Sequence, residues 1–267
     1  GRDWQPMNPT QNHSTSVTLV TGGCSGIGEA CVSHLIESGH RVCVMDLPSS
    51  ASSCHPQALG FVACDVTDEQ ALRQSLSHIE STHGPVNGLV NSAGILQHRL
   101  PPDQLGMDEW DQVLNVDFRG TYLCCAVFGS AMVKRGQGAI VNIASIAGMR
   151  SNPLHAYAPA KAAVISLTAG LAAEWGRTGV RVNAVSPGYT RTRALQAAID
   201  RGDRDPTDLM SQAAMGRLVE PHEVAVAVGF LLSPVASAIT GANLPVDAGW
   251  LAGSTWQTYG GVPPIKG

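Results

Sequence analysis

The chain has 267 residues, 44% of them hydrophobic and 14% charged, with a formal net charge of −4. That is apolar material enough for one large α/β core, and the slight acidic balance argues against a nucleic-acid partner. No run approaches the ~18–20 apolar residues of a membrane span, and no basic segment leads into an apolar one as a secretion signal would. The seven cysteines, Cys24, Cys31, Cys43, Cys54, Cys64, Cys124 and Cys125, show no C-x-x-C and no zinc spacing with histidine. They read as small buried hydrophobes in a reducing cytoplasm, with no metal implied.

Residues 1–16 are polar and without periodicity, and read as a flexible segment in which Met7 is the natural start and residues 1–6 an added remnant. The apolar run 17–20 reads as a first strand and leads into T-G-G-C-S-G-I-G, residues 21–28, then a helix over 26–38. Gly22, Gly26 and Gly28 let the backbone approach a pyrophosphate, and the helix start turns free N–H groups and its positive dipole end toward it. The spacing is G-x-x-x-G-x-G, unlike the G-x-G-x-x-G of the common dinucleotide fingerprint. A second strand, 42–45, ends at Asp46, which lies 18 residues past Gly28. A carboxylate near that distance binds an adenosine ribose 2′-hydroxyl and repels a 2′-phosphate, and no Lys or Arg lies in 21–28 to offset it, so the cofactor is expected to be NAD.

The stretch 48–60 reads as a loop where a crossover helix would otherwise stand. Strands at 61–64, 88–91, 139–144, 180–186 and 244–246 then alternate with helices near 68–82, 108–135, 157–176 and 220–232. The strands are almost continuously apolar, as strands covered on both faces are. The expected fold is a single-domain α/β structure over 17–249, a Rossmann-type doubly wound sheet of seven parallel strands with helices on both faces. Ser145 closes the fifth strand, Tyr157 follows it by twelve residues and Lys161 follows Tyr157 by four. On a helix, i and i+4 side chains share a face. An ammonium is thereby held beside a phenol, where an opposite charge within roughly 4–6 Å favours the phenolate and makes the group a usable acid and base. Beyond Gly249, Trp250, Trp256 and Tyr259 are costly to leave in water, so residues 250–267 are expected to pack on another surface.

These features together resemble the short-chain dehydrogenase/reductase family from about Val17 to Gly249. The family's T-G-x-x-x-G-x-G is present at 21–28, its D-V pair at Asp65 and Val66, and its N-x-A-G at Asn91, Ala93 and Gly94, with serine between. Pro187, Gly188 and Thr190 match its P-G-x-T. The resemblance implies a catalytic set of Asn115, Ser145, Tyr157 and Lys161, with Asn115 taken from W-D-Q-V-L-N-V-D on the long fourth helix. It implies an NAD site made by Gly22, Ser25, Gly26, Ile27, Gly28, Asp46, Leu47, Asp65, Val66, Asn91, Ala93, Gly94, Tyr157, Lys161, Pro187, Gly188 and Thr190. It also implies a homotetramer, with the tail against a neighbouring subunit or the rim of the active site.

In the mechanism so implied, Tyr157 exchanges a proton with the alcohol or ketone oxygen while hydride passes between its carbon and the nicotinamide. Ser145 stabilises that oxygen, Lys161 favours the phenolate and binds the nicotinamide ribose, and the Asn115 backbone holds a water. The substrate is expected to be a secondary alcohol or its ketone: a polyol, a sugar, or a cyclic or aryl alcohol. Its pocket is expected to include Ser145 and Tyr157 with Leu96, Gln97, His98, Ala147, Asn152 and His155. The segment 189–215 follows, whose Arg191, Arg193, Arg201 and Arg204 alternate with Asp200, Asp203 and Asp205 as a solvated face does. A 3-oxoacyl-type reductase shares fold and site but usually takes NADP, against which Asp46 speaks. Enoyl reductases of related fold space the tyrosine and lysine further apart. A non-catalytic dinucleotide-binding interaction protein is the reading from a different class, and the complete catalytic set speaks against it.

Overall fold

The computed structural model describes residues 15–264. The expected flexible segment 1–16 lies outside the described residues apart from Thr15 and Ser16. Seven strands, β1 (Val17–Thr21), β2 (Val42–Asp46), β3 (Gly60–Ala63), β4 (Val86–Asn91), β5 (Gly138–Ile143), β6 (Val180–Pro187) and β7 (Asn243–Val246), pair in parallel. They lie in the order β3-β2-β1-β4-β5-β6-β7. The order reverses between β1 and β4, and a crevice opens there beyond the carboxyl ends of the strands. That is where the glycine-rich turn after β1 and the loop after β4 meet.

Alternate strand residues feed two separate cores, because successive side chains leave opposite faces of a sheet. On one face Leu19, Met45, Leu89 and Ile140 pack with Leu72 and Ile79 of α2 (Glu69–His83) and with Cys124, Phe128 and Met132 of a long helix. On the other, Val20, Val44, Val90 and Val141 meet Val32 and Leu35 of α1 (Gly26–Glu37) and Val224, Val228 and Leu231 of α7 (Pro221–Leu232).

The long helix, α3, runs from Met107 to Arg135 as expected from its sequence, but not as one regular helix. Two π segments, Asn115–Gly120 and Cys125–Gly129, interrupt its α-helical pieces Met107–Leu114, Thr121–Cys124 and Ser130–Arg135. Next comes α4 (Tyr157–Trp175). Two short helices, α5 (Arg193–Asp200) and α6 (Pro206–Ser211), lie in the segment 189–215, and a single turn, α8 (Trp250–Gly253), opens the tail. The loop expected at 48–60 contains a 3₁₀ turn, Pro48–Ser53, with proline at its first position where no N–H is needed.

The start of α7 is fixed by charge as well as by burial. Glu220 and Glu223 form a reciprocal capping box, and Arg217 holds both Glu223 oxygens at 2.7 and 2.8 Å. The guanidinium and the Glu220 amide hold the Glu223 carboxyl down, from 4.5 to about 2. A carboxyl depressed on folding stabilises the fold above its unfolded value and loses that contribution as pH falls through the folded one. Glu223 is 38% exposed, so its worth is screened to about 1 kcal/mol or less. Glu223→Gln is therefore expected to lower the melting temperature at neutral pH. The gap from the parent protein should narrow below pH 4.5 and be gone by about 2, as calorimetry across that range will show. A gap independent of pH would assign the effect to something other than the ion pair.

Candidate active site

The glycine-rich turn is shaped to receive something flat against its backbone. Gly22 and Gly26 have φ of +63° and +53°, values that L side chains rarely adopt. A Cβ on Gly22 would lie 2.7 Å from the Ala93 Cα, and one on Gly28 would run into the Gly22 carbonyl. Ser25 is the N-cap of α1 yet makes no side-chain capping bond, so it leaves the first-turn amides of the helix without a side-chain acceptor. These features fit a dinucleotide pyrophosphate. At the next strand end, Asp46 accepts from the Cys24 amide at 3.0 Å and from the Leu47 amide at 2.8 Å. Each bond uses one oxygen, which leaves lone pairs for a ribose hydroxyl. Leu47 is 48% exposed beside it. Burial, with the Asp46 charge adding to it, pushes the Cys24 thiol up to about 12, so the one cysteine in the turn stays a neutral spacer.

The loop after β4 is tied down in three places. Thr21 Oγ1 accepts from the Ser92 and Ala93 amides, both at 3.2 Å. The Ile95 amide donates to Asp117 Oδ1 at 2.8 Å. Gln97 Oε1 accepts from the Ala156 amide at 2.8 Å and the Tyr157 amide at 2.9 Å. Gln97 is thus a remote cap for α4, a helix whose own N-cap residue, Ala156, has no side-chain acceptor.

Tyr157 and Lys161 share a face of the first turn of α4 as expected. The Lys161 ammonium lies 5.5 Å from the centroid of the Tyr157 ring and donates to the Ile143 carbonyl at 3.1 Å. Ser145 stands just past β5, nearly buried, and its Oγ accepts from the Ala147 amide at 3.0 Å. Because that bond occupies an oxygen lone pair, the hydroxyl proton remains to be donated elsewhere. The arrangement is a phenol with a cation beside it, held at the end of the strand that leads into Ser145.

Several expected site residues are placed otherwise. The Asn115 side chain is exposed and its Oδ1 accepts from Arg119 at 3.3 Å, so the part implied for this residue rests on its backbone alone. The buried stripe of α3 runs through Val113, Asp117 and Thr121, and Asp117 faces Lys161. Asn91 turns inward, donating to Asn142 Oδ1 at 2.8 Å and to Cys125 Sγ at 3.3 Å. Asn142 in turn donates to Thr168 at 3.0 Å. Gln97 serves α4 rather than a substrate. His98 is exposed and paired with Glu109 at 2.9 Å.

Ala147, Asn152 and His155 line a cavity of about 380 Å³ that also takes in Ala158, Pro159 and Ala162, but not Ser145, Tyr157 or Lys161. It lies on a different face of α4 from the phenol. Asn152 is occupied there with the Ala147 and Arg150 carbonyls, at 2.9 and 3.2 Å.

Asp65 Oδ1 takes both the amide and the hydroxyl of Thr67, while Val66 is buried against the position of Gly120. Pro187 closes β6, Gly188 has room for no Cβ beside Asp247, and the Thr190 hydroxyl donates to the Gly188 carbonyl at 3.0 Å. The cofactor positions Ala93 and Gly94 lie in the tied loop, a Cβ on Gly94 reaching the Asp117 carboxyl at 3.5 Å. Three of the segment's arginines are paired with acids: Arg191 with Glu220, Arg193 with Glu29 and Arg201 with Asp203. Among the described residues no cluster of three or more His, Cys, Asp or Glu is gathered for a metal, and no helix is long and apolar enough to cross a membrane. In the tail, Trp250 meets Tyr189 edge-on at 5.9 Å, while Trp256 and Tyr259 are 48% and 90% exposed.

Comparison with known proteins agrees with this geometry. A family model described as Enoyl-(Acyl carrier protein) reductase matches residues 22–251. The 2,5-dichloro-2,5-cyclohexadiene-1,4-diol dehydrogenase of Sphingobium indicum is 38% identical, over 90% of this chain and 98% of its own. A structure titled Ribose-5-phosphate Isomerase from Brucella melitensis 16M is 48% identical with a TM-score of 0.90, covering 93% of this chain and 97% of that one. A structure of ElxO with NADP bound is 32% identical with a TM-score of 0.82, covering 89% and 99%. The chain belongs to the short-chain dehydrogenase/reductase family. Within it the protein is an oxidoreductase acting on CH–OH groups, and the family binds a nicotinamide dinucleotide.

The Gln97 cap yields a prediction. Replacing it by alanine removes two bonds to buried amides, which should cost about 1–2 kcal/mol of stability by denaturant titration. Turnover should fall with it, since the Tyr157 amide loses its anchor. An unchanged denaturation midpoint would mean that water replaces the cap freely.

Proposed function

We propose that the protein transfers a hydride between a secondary alcohol and its ketone, with NAD as the carrier and Tyr157 as the acid–base. The supporting observation is that Lys161 is held between the Ile143 carbonyl at the end of β5, two residues before Ser145, and the ring of Tyr157. When bound, the nicotinamide supplies the hydride acceptor or donor. The chain's residues do the rest. Tyr157 accepts the hydroxyl proton in oxidation and returns it to the carbonyl oxygen in reduction. The Ser145 hydroxyl, its own oxygen already engaged by Ala147, donates to that same oxygen and stabilises its partial negative charge. Lys161 lends positive charge to the phenolate and would bind the nicotinamide ribose.

Asp46 supports NAD over NADP, because a carboxylate repels a 2′-phosphate and no cation lies in the turn beside it. The substrate class is a polyol, a sugar, or a cyclic or aryl alcohol, a range in keeping with the diol named for the Sphingobium relative. An isomerase, as the Brucella protein is titled, would leave the dinucleotide cradle without a use. The same reading takes the chain as a homotetramer in which α3 and α4 pair across one two-fold and the segment after Val219 across another. Tyr122, Val226 and Phe230, which are 48%, 43% and 41% exposed, support these contacts. Light scattering at micromolar concentration is expected to give four chains, and a one-chain mass would overturn it.

The test is formation of the reduced cofactor from NAD and from NADP with a panel of polyols, sugars and cyclic and aryl alcohols. Consumption of NADPH by a 3-oxoacyl thioester is the counter-assay. NAD is expected to be preferred by at least about tenfold, or ~1.4 kcal/mol. Tyr157→Phe keeps the ring and loses the proton carrier, so turnover should drop below about a tenth while NAD binding persists. Equal use of both cofactors would refute the Asp46 assignment. An active Tyr157→Phe would refute the acid–base, and a faster thioester reaction would refute the substrate class.

A further inference from the structure

Asp117 is fully buried in the first π segment of α3. Its Oδ1 accepts from the Ile95 amide at 2.8 Å, but Oδ2 has no hydrogen-bond partner and stands 3.9 Å from Lys161 Nζ. A buried carboxylate oxygen left without a donor is costly, and an ammonium a short movement away is the group that can relieve it. Lys161 is itself 6% exposed and has the Ile143 carbonyl as its one close acceptor. The elements around the carboxyl supply two titratable groups. Both come from α4: Lys161, and Tyr157 beyond it. Strand β5 contributes a carbonyl and the loop after β4 an amide, neither of which titrates.

We propose that Asp117 is a positioning residue for the reaction, holding Lys161 against the Tyr157 ring and setting how far the ammonium favours the phenolate. The proposal rests on the acid–base role given to Tyr157 above. An ammonium alone beside the phenol acts at full strength. A carboxylate on its far side offsets part of that field and keeps the lysine charged in a dry site. Burial pushes the Asp117 carboxyl above the ordinary range, against the pull of Lys161 and the Ile95 amide. Its charge is therefore sensitive to the ammonium 3.9 Å away.

Asp117→Asn separates this role from a merely structural one. It keeps the shape and an oxygen for the Ile95 amide but removes the charge. The rising limb of the pH–rate profile for alcohol oxidation is expected to move to lower pH by about 0.5–1 unit, because the uncompensated ammonium favours the phenolate more. A limb that stays within about 0.2 unit, or moves upward, overturns the proposal. The phenolate absorbance of Tyr157, taken as the difference from a Tyr157→Phe counterpart in the absence of substrate, must show the same displacement. That spectral reading stands even if no alcohol is oxidised, an outcome that would sink the proposed function and not this one. If Asp117→Asn does not fold, the wild-type protein decides. The Asp117 carboxyl carbon, followed by NMR, should show a step at the Tyr157 midpoint that disappears in Tyr157→Phe. A curve without that step overturns the proposal.

Discussion

An ammonium sunk out of water has to be surrounded by groups that compensate it, and the Lys161 charge organises this molecule. Strand β5 supplies the Ile143 carbonyl, α3 a carboxylate and α4 the face of an aromatic ring. Three elements distant in sequence must therefore converge within a few ångströms of one nitrogen, and the parallel sheet brings them there. β5 ends two residues short of Ser145, so the carbonyl that holds the lysine and the Ser145 hydroxyl both issue from the end of one strand. The i, i+4 spacing on α4 then gives the phenol a fixed offset from the charge. Losing any of the three neighbours leaves a buried charge poorly matched, which costs far more than a surface contact does.

The loop after β4 sits between these elements and gains its rigidity from them. Its start hangs on the Thr21 hydroxyl, its middle on Asp117 and its end on α4 through Gln97. Thr21 and Asp117 reach the loop's own amides from outside it, while Gln97 is a loop side chain that reaches the amides of α4. A floor held in this way suits a cofactor that must meet its substrate at a set distance. The polar contacts of 189–215, by contrast, are exposed ion pairs of the kind that contribute little.

Much of this was legible in the sequence, and for physical reasons. Strands buried on both faces must be apolar throughout, so the seven runs stood out, and glycines forced together by backbone contact left their spacing in the turn. The pairing of Tyr157 with Lys161 was legible because helix geometry converts a spacing of four into proximity. Asp117 was not legible as a neighbour of Lys161, because the buried stripe of α3, Val113 to Asp117 to Thr121 in steps of four, takes its meaning only once α4 is packed against it. Gln97 was found in the right loop but with the wrong purpose. Its partners lie 59 and 60 residues away, and only the fold brings them within reach. Asn152 and His155 share a loop with Ser145, yet the chain turns them to another face of α4, which no periodicity in an irregular segment announces.

The asparagine pair inside the sheet has a consequence for how the chain finds its register. Asn91 and Asn142 are cross-strand partners of β4 and β5, and their amides bond directly in the dry interior. Parallel strands of valine, leucine and isoleucine offer little to tell one alignment from the next, since a shifted hydrocarbon is still a hydrocarbon. A slip of one residue would strand two carboxamides among aliphatic side chains on opposite faces, a penalty of several kcal/mol with no compensating gain. The pair thus acts as a vernier mark between the two central strands, making misaligned sheets unstable before the helices pack. A chain with leucine at both places could keep its bulk hydrophobicity and still lose the single alignment of β4 with β5.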